Sequence, residues 1–158
     1  MQYITTMLLV LFSLSAFAFQ PQYPMGPDAR LTPGALCTTP DTHRYPENIA
    51  YCKRAVESSR KKEIFEDYRQ LGYELPAKER SSYKIDHYIP LCAGGANSNA
   101  NLWPQHRTVY DITDPIEPLL CQKMSDGTLK QARAVELIKK VKNDLSKADE
   151  VMDELNRL

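Results

Sequence analysis

Apolar side chains recur at helical spacing in two parts of the chain. In residues 59–71, Ser59 can cap the start of a helix and Gly72 can end it. The apolar face of this segment consists of Ile64, Phe65, Tyr68 and Leu71. From Thr128 onward, apolar residues alternate at spacings of four and three, at Ala134, Ile138, Val141, Leu145, Ala148, Met152 and Leu155. The pattern predicts an N-terminal helix and a long C-terminal amphipathic helix, which packs on its own domain or on a second copy of the chain.

Short strands and turns are indicated between the two predicted helices. Residues 83–88 alternate weakly and are rich in aromatic and branched side chains, which predicts a strand that Pro90 ends. The glycines and alternating asparagines of residues 92–100 favour a loop. Leu102-Trp103 can form a second strand, and Asp114-Pro115 is typical of a helix start. We therefore predict an α+β fold, with a strand, loop, strand and helix between the flanking helices.

The N-terminus has the features of an export signal. Residues 7–17 are mostly apolar and lead into a small-x-small cleavage pattern at residues 16–18, although residues 1–6 lack the usual Lys or Arg. The apolar run is too short to span a bilayer. We expect residues 1–18 to be a signal peptide and the mature protein to be periplasmic or secreted, with no membrane segment. Residues 19–48 are predicted to form an irregular arm, and residues 49–158 the single domain.

All four cysteines lie after the predicted cleavage site, and an even number in an oxidising compartment favours two disulfides. Of the three pairings, we favour Cys37 with Cys52 and Cys92 with Cys121. Local closure is easiest in this arrangement, and the second bridge would tie the central loop to a downstream helix. A zinc site of four thiolates is the alternative, but the chain has no CxxC pair to support it.

The charges balance, with 20 Lys and Arg against 20 Asp and Glu. No global positive field therefore draws the protein to nucleic acid. Two stretches are locally basic: Lys53-Arg54 with Arg60-Lys61-Lys62, and the segment from Lys123 to Lys142. Each is either a solvated helix face or a contact surface for a polyanion.

An acid and a base stand side by side in residues 83–106, which read YKIDHYIPLCAGGANSNANLWPQH. A metal-dependent nuclease needs a base of near-neutral pKa to deprotonate water and hard ligands for the ion. His87 can supply the base and Asp86 a metal ligand, while Asn101 can hydrogen-bond the second ring nitrogen of His87 or pin the loop. Neighbouring residues of a strand point to opposite faces, so Asp86 and His87 share a site only if the strand ends there. An Asp-His pair at a strand end also occurs as an ordinary surface pair.

This segment resembles the core of HNH endonucleases, and in particular of small exported members with the pattern DH-x-IPL-x-x-GG-x-N followed by NLWPQ. The matching residues are Asp86-His87, Ile89-Pro90-Leu91, Gly94-Gly95, Asn97 and Asn101-Leu102-Trp103-Pro104-Gln105. The strong resemblance covers about 25 residues, and a weaker one extends upstream through residues 31–34 and downstream to residues 119–121. It implies a ββα-metal fold in which His87 is the general base, Asp86 a metal ligand and Asn101 the asparagine that orients the base.

The chain departs from the family pattern at the last metal ligand, a His or Asn on the helix after the second strand. Family members often place it eight or nine residues after the position of Asn101, where this chain has Val109 and Tyr110. We expect His106 to take this role because imidazole is a familiar ligand of divalent ions. Asp111 and Asp114 are the alternatives.

Together, the residue chemistry and the resemblance predict an exported endonuclease that hydrolyses DNA, and RNA as a second candidate, with little sequence preference. Mg²⁺ is the expected ion because it takes oxygen ligands and keeps several waters, with Mn²⁺ or Zn²⁺ as alternatives. Two other interpretations stay open at this stage. One is a catalytically silent, disulfide-stapled binding module, and the other is a nuclease toxin aimed at competitors.

Overall fold

The structure is a computed structural model that describes residues 23–158, so the predicted signal peptide lies outside the described residues. Within this range, the strands are β1 (Thr42–Arg44), β2 (Ile49–Tyr51), β3 (Tyr83–His87) and β4 (Leu102–His106). The α-helices are α1 (Ser58–Gln70), α2 (Arg107–Thr113), α3 (Ile116–Ser125), α4 (Gln131–Asn143) and α5 (Ala148–Arg157). The strands form two antiparallel pairs, β1 with β2 and β3 with β4. The predicted α+β class is confirmed, and no helix in residues 23–158 is long and apolar enough to cross a membrane.

The hairpin of β3 and β4 is the element that positions the predicted motif. Its register places Asp86 opposite Trp103 and His87 opposite Leu102. The connecting loop contains two short 3-10 turns, Leu91–Ala93 and Asn99–Asn101. Strand β4 continues through Pro104, which the sequence pattern does not predict. Pro104 has no N–H group to donate to a neighbouring strand. It is tolerated because β4 pairs with β3 alone, so there is no second strand whose hydrogen bond would be lost.

Two apolar clusters form the core of the described residues. The first joins α1 to the β3–β4 hairpin and consists of Ile64, Phe65, Tyr68, Leu75, Tyr83, Ile85, Tyr88, Leu102, Trp103 and Val109. The second lies among α3, α4 and α5 and includes Ile89, Ile116, Leu120, Leu137, Ile138, Val141, Val151 and Leu155. Trp103 is fully buried, as expected for a core residue. The loop between β3 and β4 reaches the second cluster through Ile89 and Ala93.

Both predicted disulfides are present. Cys37 is bonded to Cys52, and Cys92 is bonded to Cys121. The first bridge closes the segment that contains β1 and β2, and the second joins the β3–β4 loop to α3. The described residues contain no free cysteine, so the alternative zinc site of four thiolates does not form.

The prediction of one long C-terminal helix is wrong. The chain leaves the helical conformation at Asp144 (φ −145°, ψ 98°), which separates α4 from α5. The carboxylate of Asp144 accepts hydrogen bonds from the N–H and hydroxyl of Ser146, a local pairing that competes with helix continuation. The turn folds α5 back, so Val151 and Leu155 are buried in the core of the chain itself.

Residues 23–48, which belong to the predicted irregular arm, are tied to the domain in several places. The backbone N–H of Gly34 donates to the carbonyl of Ala100 at 2.8 Å, and Leu36 forms a single bridge with Gly95. Strand β1 lies within this arm and pairs with β2. The arm therefore packs beside the loop that carries the predicted motif.

Candidate active site

A cavity of about 280 Å³ opens at the end of strand β3. Its polar lining consists of Arg44, Tyr51, Arg54, Asp86, His87 and Glu117, and the disulfide between Cys92 and Cys121 forms part of its wall. Strands β1 and β2 supply Arg44 and Tyr51, β3 supplies the Asp-His pair, and α3 supplies Glu117. The cavity thus brings together side chains from four elements.

Asp86 and His87 both reach this cavity because β3 ends at His87. Along the strand the two side chains point to opposite faces. Asp86 extends toward α4, where Lys142 lies, and His87 extends toward Arg54 and the loop that carries Asn97. The sequence analysis requires the strand to end at Asp86 and His87 if they are to share a site, and β3 does end there.

The hydrogen bonds of His87 define its tautomer. Asn97 donates its amide N–H to the carbonyl of Lys53 at 2.7 Å, which directs its Oδ1 to Nε2 of His87 at 3.0 Å. Because an amide oxygen accepts only, Nε2 carries the proton and Nδ1 carries the lone pair. Nδ1 lies 3.2 Å from an N–H of Arg54, which donates to it. Arg54 is itself held by the carbonyl of Ile85 at 2.9 Å.

His87 is held neutral by its surroundings. The side chain is almost fully buried, with 3% of the residue surface exposed. Burial lowers the pKa of His87 to about 4, against the opposing effects of Asn97 and the Asp86 carboxylate, while the Arg54 charge adds to the lowering. An unprotonated Nδ1 is therefore present throughout the neutral pH range, although a pKa of about 4 lies below the near-neutral value that favours general-base catalysis.

A buried cation lies between the two carboxylates of the cavity. Nζ of Lys142, on α4, donates to Oε1 of Glu117 at 2.6 Å, to the carbonyl of His87 at 2.6 Å and to Oδ2 of Asp86 at 3.4 Å. Lys142 has no exposed surface. The ammonium of Lys84 lies 3.6 Å from the same Oδ2 of Asp86 and binds Asp114 at 2.6 Å. Three oxygens thus converge on one ammonium group at the floor of the site.

The two carboxylates respond differently to this environment. Burial opposes ionisation of Asp86, but the charges of Lys142 and Lys84 outweigh it and lower its pKa. Glu117 has the shorter contact with Lys142, yet burial and the neighbouring Asp86 charge together raise its pKa. Burial alone would lower the pKa of Lys142, and the two carboxylates reverse this and raise it. The floor of the site therefore consists of an ionised Asp86 and an ammonium, with Glu117 as the more easily protonated acid.

Asn101 pins the loop and does not contact His87. Its fully buried amide accepts from the N–H of Ile89 at 2.9 Å and donates to the carbonyls of Ile89 at 2.9 Å and Ala96 at 3.0 Å. Gly95 makes this clamp possible, because a Cβ at that position would overlap the carbonyl of Ile89. The sequence leaves two roles open for Asn101, a hydrogen bond to His87 or a contact that pins the loop. The structure shows the loop contact, and Asn97 is the residue that contacts the imidazole.

His106 lies away from the cavity. It pairs with Tyr83 at the far end of the hairpin, four residues along from the position opposite His87, which corresponds to roughly 13 Å of strand. Its ring packs between Tyr23 and Tyr83, at 4.2 and 4.9 Å between centroids. The structure therefore does not bring His106 together with Asp86, and its expected role as a ligand beside Asp86 does not fit this geometry.

Glu117 is the acidic residue that sequence reasoning missed. Asp111 and Asp114, the two alternatives to His106, do not line the cavity either, and Asp114 instead holds Lys84. Glu117 follows Asp114 by three residues and lies in the first turn of α3.

Asp86 and Glu117 are the two carboxylates of the cavity that could hold a cation. Within residues 23–158, no cluster of three His, Cys, Asp or Glu side chains could hold a metal on its own. Mg²⁺ is commonly bound by only one or two carboxylates, with water and substrate phosphate completing its shell. Asp86 and Glu117 provide two carboxylates on one cavity, and with the His87 carbonyl they already surround a positive charge, the ammonium of Lys142. This set of oxygens is suited to a cation.

Comparisons with protein-family models, curated proteins and solved structures found no match to this chain. What the protein does must therefore be inferred from the residues of the cavity.

Proposed function

We propose that this protein is an exported, metal-dependent endonuclease of the HNH type that hydrolyses phosphodiester bonds of DNA, with RNA as a second candidate substrate. The observation that carries the proposal is the cavity at the end of β3. There, a neutral imidazole of defined tautomer meets two carboxylates and two arginines. A base, ligands for a hard cation and donors for a phosphate are the three components that such a hydrolysis requires.

The order of elements around the cavity supports the HNH assignment. Strand β3, the loop, strand β4 and helix α2 follow one another directly, and the Asp-His pair lies at the end of the first strand. This is the arrangement that a ββα-metal fold implies. The two disulfides agree with folding in an oxidising compartment, which supports export.

His87 acts as the general base in this proposal. Nδ1 accepts a proton from the attacking water, while Nε2 stays bonded to Asn97, which keeps the ring in place. In the structure Arg54 donates to Nδ1. A phosphate that enters the cavity draws this guanidinium into a charge-assisted pair, because arginine binds phosphate more strongly than a neutral imidazole. Nδ1 is then available to the water.

Asp86 and Glu117 would hold the divalent ion, and Arg44 would contact the phosphate from the opposite wall. When bound, the ion supplies stabilisation of the negative charge on the phosphate and on the departing 3′ oxygen. Mg²⁺ is the first choice because the donors are carboxylate and carbonyl oxygens, and Mn²⁺ also accepts such ligands. Zn²⁺ is less well matched, because His106 lies outside the cavity. Water attack on phosphorus with loss of the 3′ oxygen leaves a 5′ phosphate.

The test is digestion of plasmid, single-stranded DNA and RNA by the disulfide-bonded protein, in EDTA and after addition of Mg²⁺, Mn²⁺ or Zn²⁺. We expect cleavage only with a divalent ion. His87→Gln should reduce the rate by about 10²–10⁴-fold, which is the usual contribution of a general base. Glu117→Gln should reduce the apparent affinity for the ion.

His106→Gln is the matched control, since it changes the same residue type at the far end of the hairpin. It should retain the wild-type rate and metal dependence. If no polynucleotide is cleaved with any ion, the proposal is wrong, and retained binding without cleavage would indicate the catalytically silent binding module instead. A lower apparent affinity for the ion in His106→Gln would return that residue to the metal site.

A further inference from the structure

A second cavity, of about 340 Å³, lies between α1 and the 3-10 turn Ala77–Ser82. Four cationic side chains surround it, together with one serine hydroxyl and one aromatic ring. These are Lys61, Lys62, Arg69, Arg80, Ser58 and Phe65. In a protein whose formal net charge is zero, this concentration of positive charge is local. No carboxylate of the described residues lines the cavity.

The two arginines of this cavity are fixed in place by backbone carbonyls. Arg69 donates twice to the carbonyl of Leu75, at 3.0 and 2.6 Å, and Arg80 donates to that of Tyr83 at 2.9 Å. The Arg80 guanidinium also lies over the Phe65 ring, 4.1 Å from its centroid. Guanidinium groups held in this way lose little conformational freedom when an anion binds.

The positive charges of the cavity are poorly neutralised within the protein. Arg69 has one distant ion pair, with Glu66 at 3.7 Å, and the described residues give no ion pair to Lys61 or Lys62. Burial, and then the neighbouring Arg69 charge, lower the pKa of Arg80. Two neighbouring guanidinium groups thus line the cavity, and no carboxylate of the described residues lines it, which is the electrostatic situation that a bound anion relieves.

The cavity suits a phosphate group better than a nucleic-acid base. Phe65 is 4% exposed because the Arg80 guanidinium and the core cover it, so no open ring face is available for a base to stack on. Lysine and arginine donors without an aromatic platform bind the sugar-phosphate backbone and carry no sequence information.

Helix α1 connects this cavity to the candidate active site. Arg60 donates to the carbonyl of Asn97 at 2.6 Å, and the side chain of Asn97 bonds His87. Lys61 is the next residue on the helix. Ser58 and Arg69 both line the second cavity, which therefore spans about 17 Å of the helix, the length of about five phosphate steps along one strand of a duplex. The proposed path of a polynucleotide runs from His87 past Arg60 to the residues of α1 that line this cavity.

We infer that the cavity formed by Lys61, Lys62, Arg69 and Arg80 is a second phosphate-backbone site, which binds the polynucleotide outside the cavity that contains His87. The inference rests on the proposed function for the identity of the polyanion. It gives a physical reason for weak sequence preference, because this second anchor reads only the phosphates.

Binding of a fluorescent 20-base-pair duplex, measured by anisotropy in EDTA with the full mature chain, tests the inference without any cleavage. Lys61→Gln/Lys62→Gln should weaken binding on the order of tenfold and reduce the slope of log affinity against log salt by about two, since each lost phosphate contact contributes about 0.9. Lys61→Arg/Lys62→Arg should restore both values. Lys78→Gln is the control, because Lys78 lies on the same 3-10 turn but does not line the cavity.

Thermal unfolding of each variant checks that the fold is intact, and the charge-conserving arginine variant keeps the comparison valid if the glutamine variant is unstable. Equal affinity and salt slope in wild type and Lys61→Gln/Lys62→Gln would overturn the inference even if the protein cleaves DNA. Tighter, Lys62-dependent binding to phosphatidylserine vesicles than to the duplex would overturn it in favour of a membrane surface. Duplex binding that depends on Lys61 and Lys62 in a protein without hydrolytic activity would support the site and refute the nuclease proposal separately.

Discussion

Replacing Lys142 with methionine removes the ammonium from the floor of the candidate active site while keeping most of the aliphatic stem. The lysine is fully buried and its Nζ donates to Glu117, to Asp86 and to the carbonyl of His87. After the substitution, two carboxylates share a buried space without the cation that separates them. The variant should fold less stably because each ionised acid then lacks most of its compensation.

Removal of one partner from a buried ion pair costs about 3–5 kcal/mol. The cost for Lys142→Met should lie near the lower end, about 3 kcal/mol, because Lys84 still lies 3.6 Å from Asp86. Urea unfolding followed by circular dichroism in EDTA at pH 8 measures this difference. Lys140→Met is the matched control on the same helix, where the pair with Glu150 is exposed to solvent and its loss should change the free energy of unfolding far less.

The same pair of carboxylates allows two further checks. With the ammonium removed, the pKa values of the acids in the folded state rise above their unfolded values, so the destabilisation should shrink as the pH falls and the acids take up protons. In Glu117→Gln/Lys142→Met the buried negative charge is reduced, and the double variant should be more stable than the sum of the single effects predicts. Added Mn²⁺ should raise the melting temperature of Lys142→Met more than that of the wild type.

Equal losses of unfolding free energy in Lys142→Met and Lys140→Met, or simple additivity in the double variant, would contradict this prediction. Either result would mean that the ammonium does not balance the two acids. A variant that is destabilised as expected but does not respond to Mn²⁺ would leave the ion-pair argument intact and count against the metal site.

Three further predictions concern the surroundings of the base. The pKa of His87 is about 4 in the folded state and 6.5 in the unfolded state, so its neutral imidazole contributes about 3 kcal/mol of stability above pH 6.5, and this is lost as the pH falls toward 4. Urea titrations in EDTA from pH 7 to pH 4 should therefore show a smaller decrease in unfolding free energy for His87→Gln than for the wild type. Equal decreases would contradict this. Gly95→Ala should lower the melting temperature and the cleavage rate together, because its Cβ would overlap the carbonyl of Ile89; an unchanged melting temperature would show that the loop can relax. Cys92→Ser/Cys121→Ser should lose about 3.5 kcal/mol of unfolding free energy, the loop-closure value for a separation of 29 residues, and a loss below 1 kcal/mol would mean that the unfolded chain is not constrained by the bridge.

The elements of the fold that depend on local sequence were predictable. Helix α1, strand β3 and both disulfide pairings follow from spacing, the stop at Gly72 and loop closure, and each is present. The prediction of Ser59 as the helix cap is wrong, because α1 begins at Ser58 and its N-cap residue, Glu57, makes no side-chain cap hydrogen bond. The break at Asp144 was not predicted, because the apolar pattern continues across it. The pattern gives no indication that the Asp144 carboxylate accepts a hydrogen bond from the N–H of Ser146. A period of apolar residues indicates which face is buried but not whether the helix is continuous.

The candidate site was predictable only in the part that is contiguous in sequence. Asp86 and His87 are neighbours, and the end of β3 brings them to one cavity as the strand rule requires. Glu117 and Lys142 arrive from two other helices, 31 and 56 residues after Asp86, and such contacts leave no trace in local spacing. Lys142 nevertheless carried a signal. It follows Ile138 by four residues and therefore lies on the apolar side of α4, which a solvated lysine would avoid.

The proposed function places two opposite electrostatic demands on the cavity at the end of β3. A phosphate requires positive charge, whereas a divalent ion requires negative charge, and in a neutral protein both must be supplied locally. The fold separates them, with Arg44 and Arg54 from the N-terminal side of the chain and Asp86 and Glu117 at the floor. Lys142 offsets one of the two acids, so the floor carries about one negative charge and does not repel an incoming phosphate as strongly as two would. The same offset weakens attraction for a metal, and a site of this kind should therefore bind its ion best when substrate phosphate completes the shell.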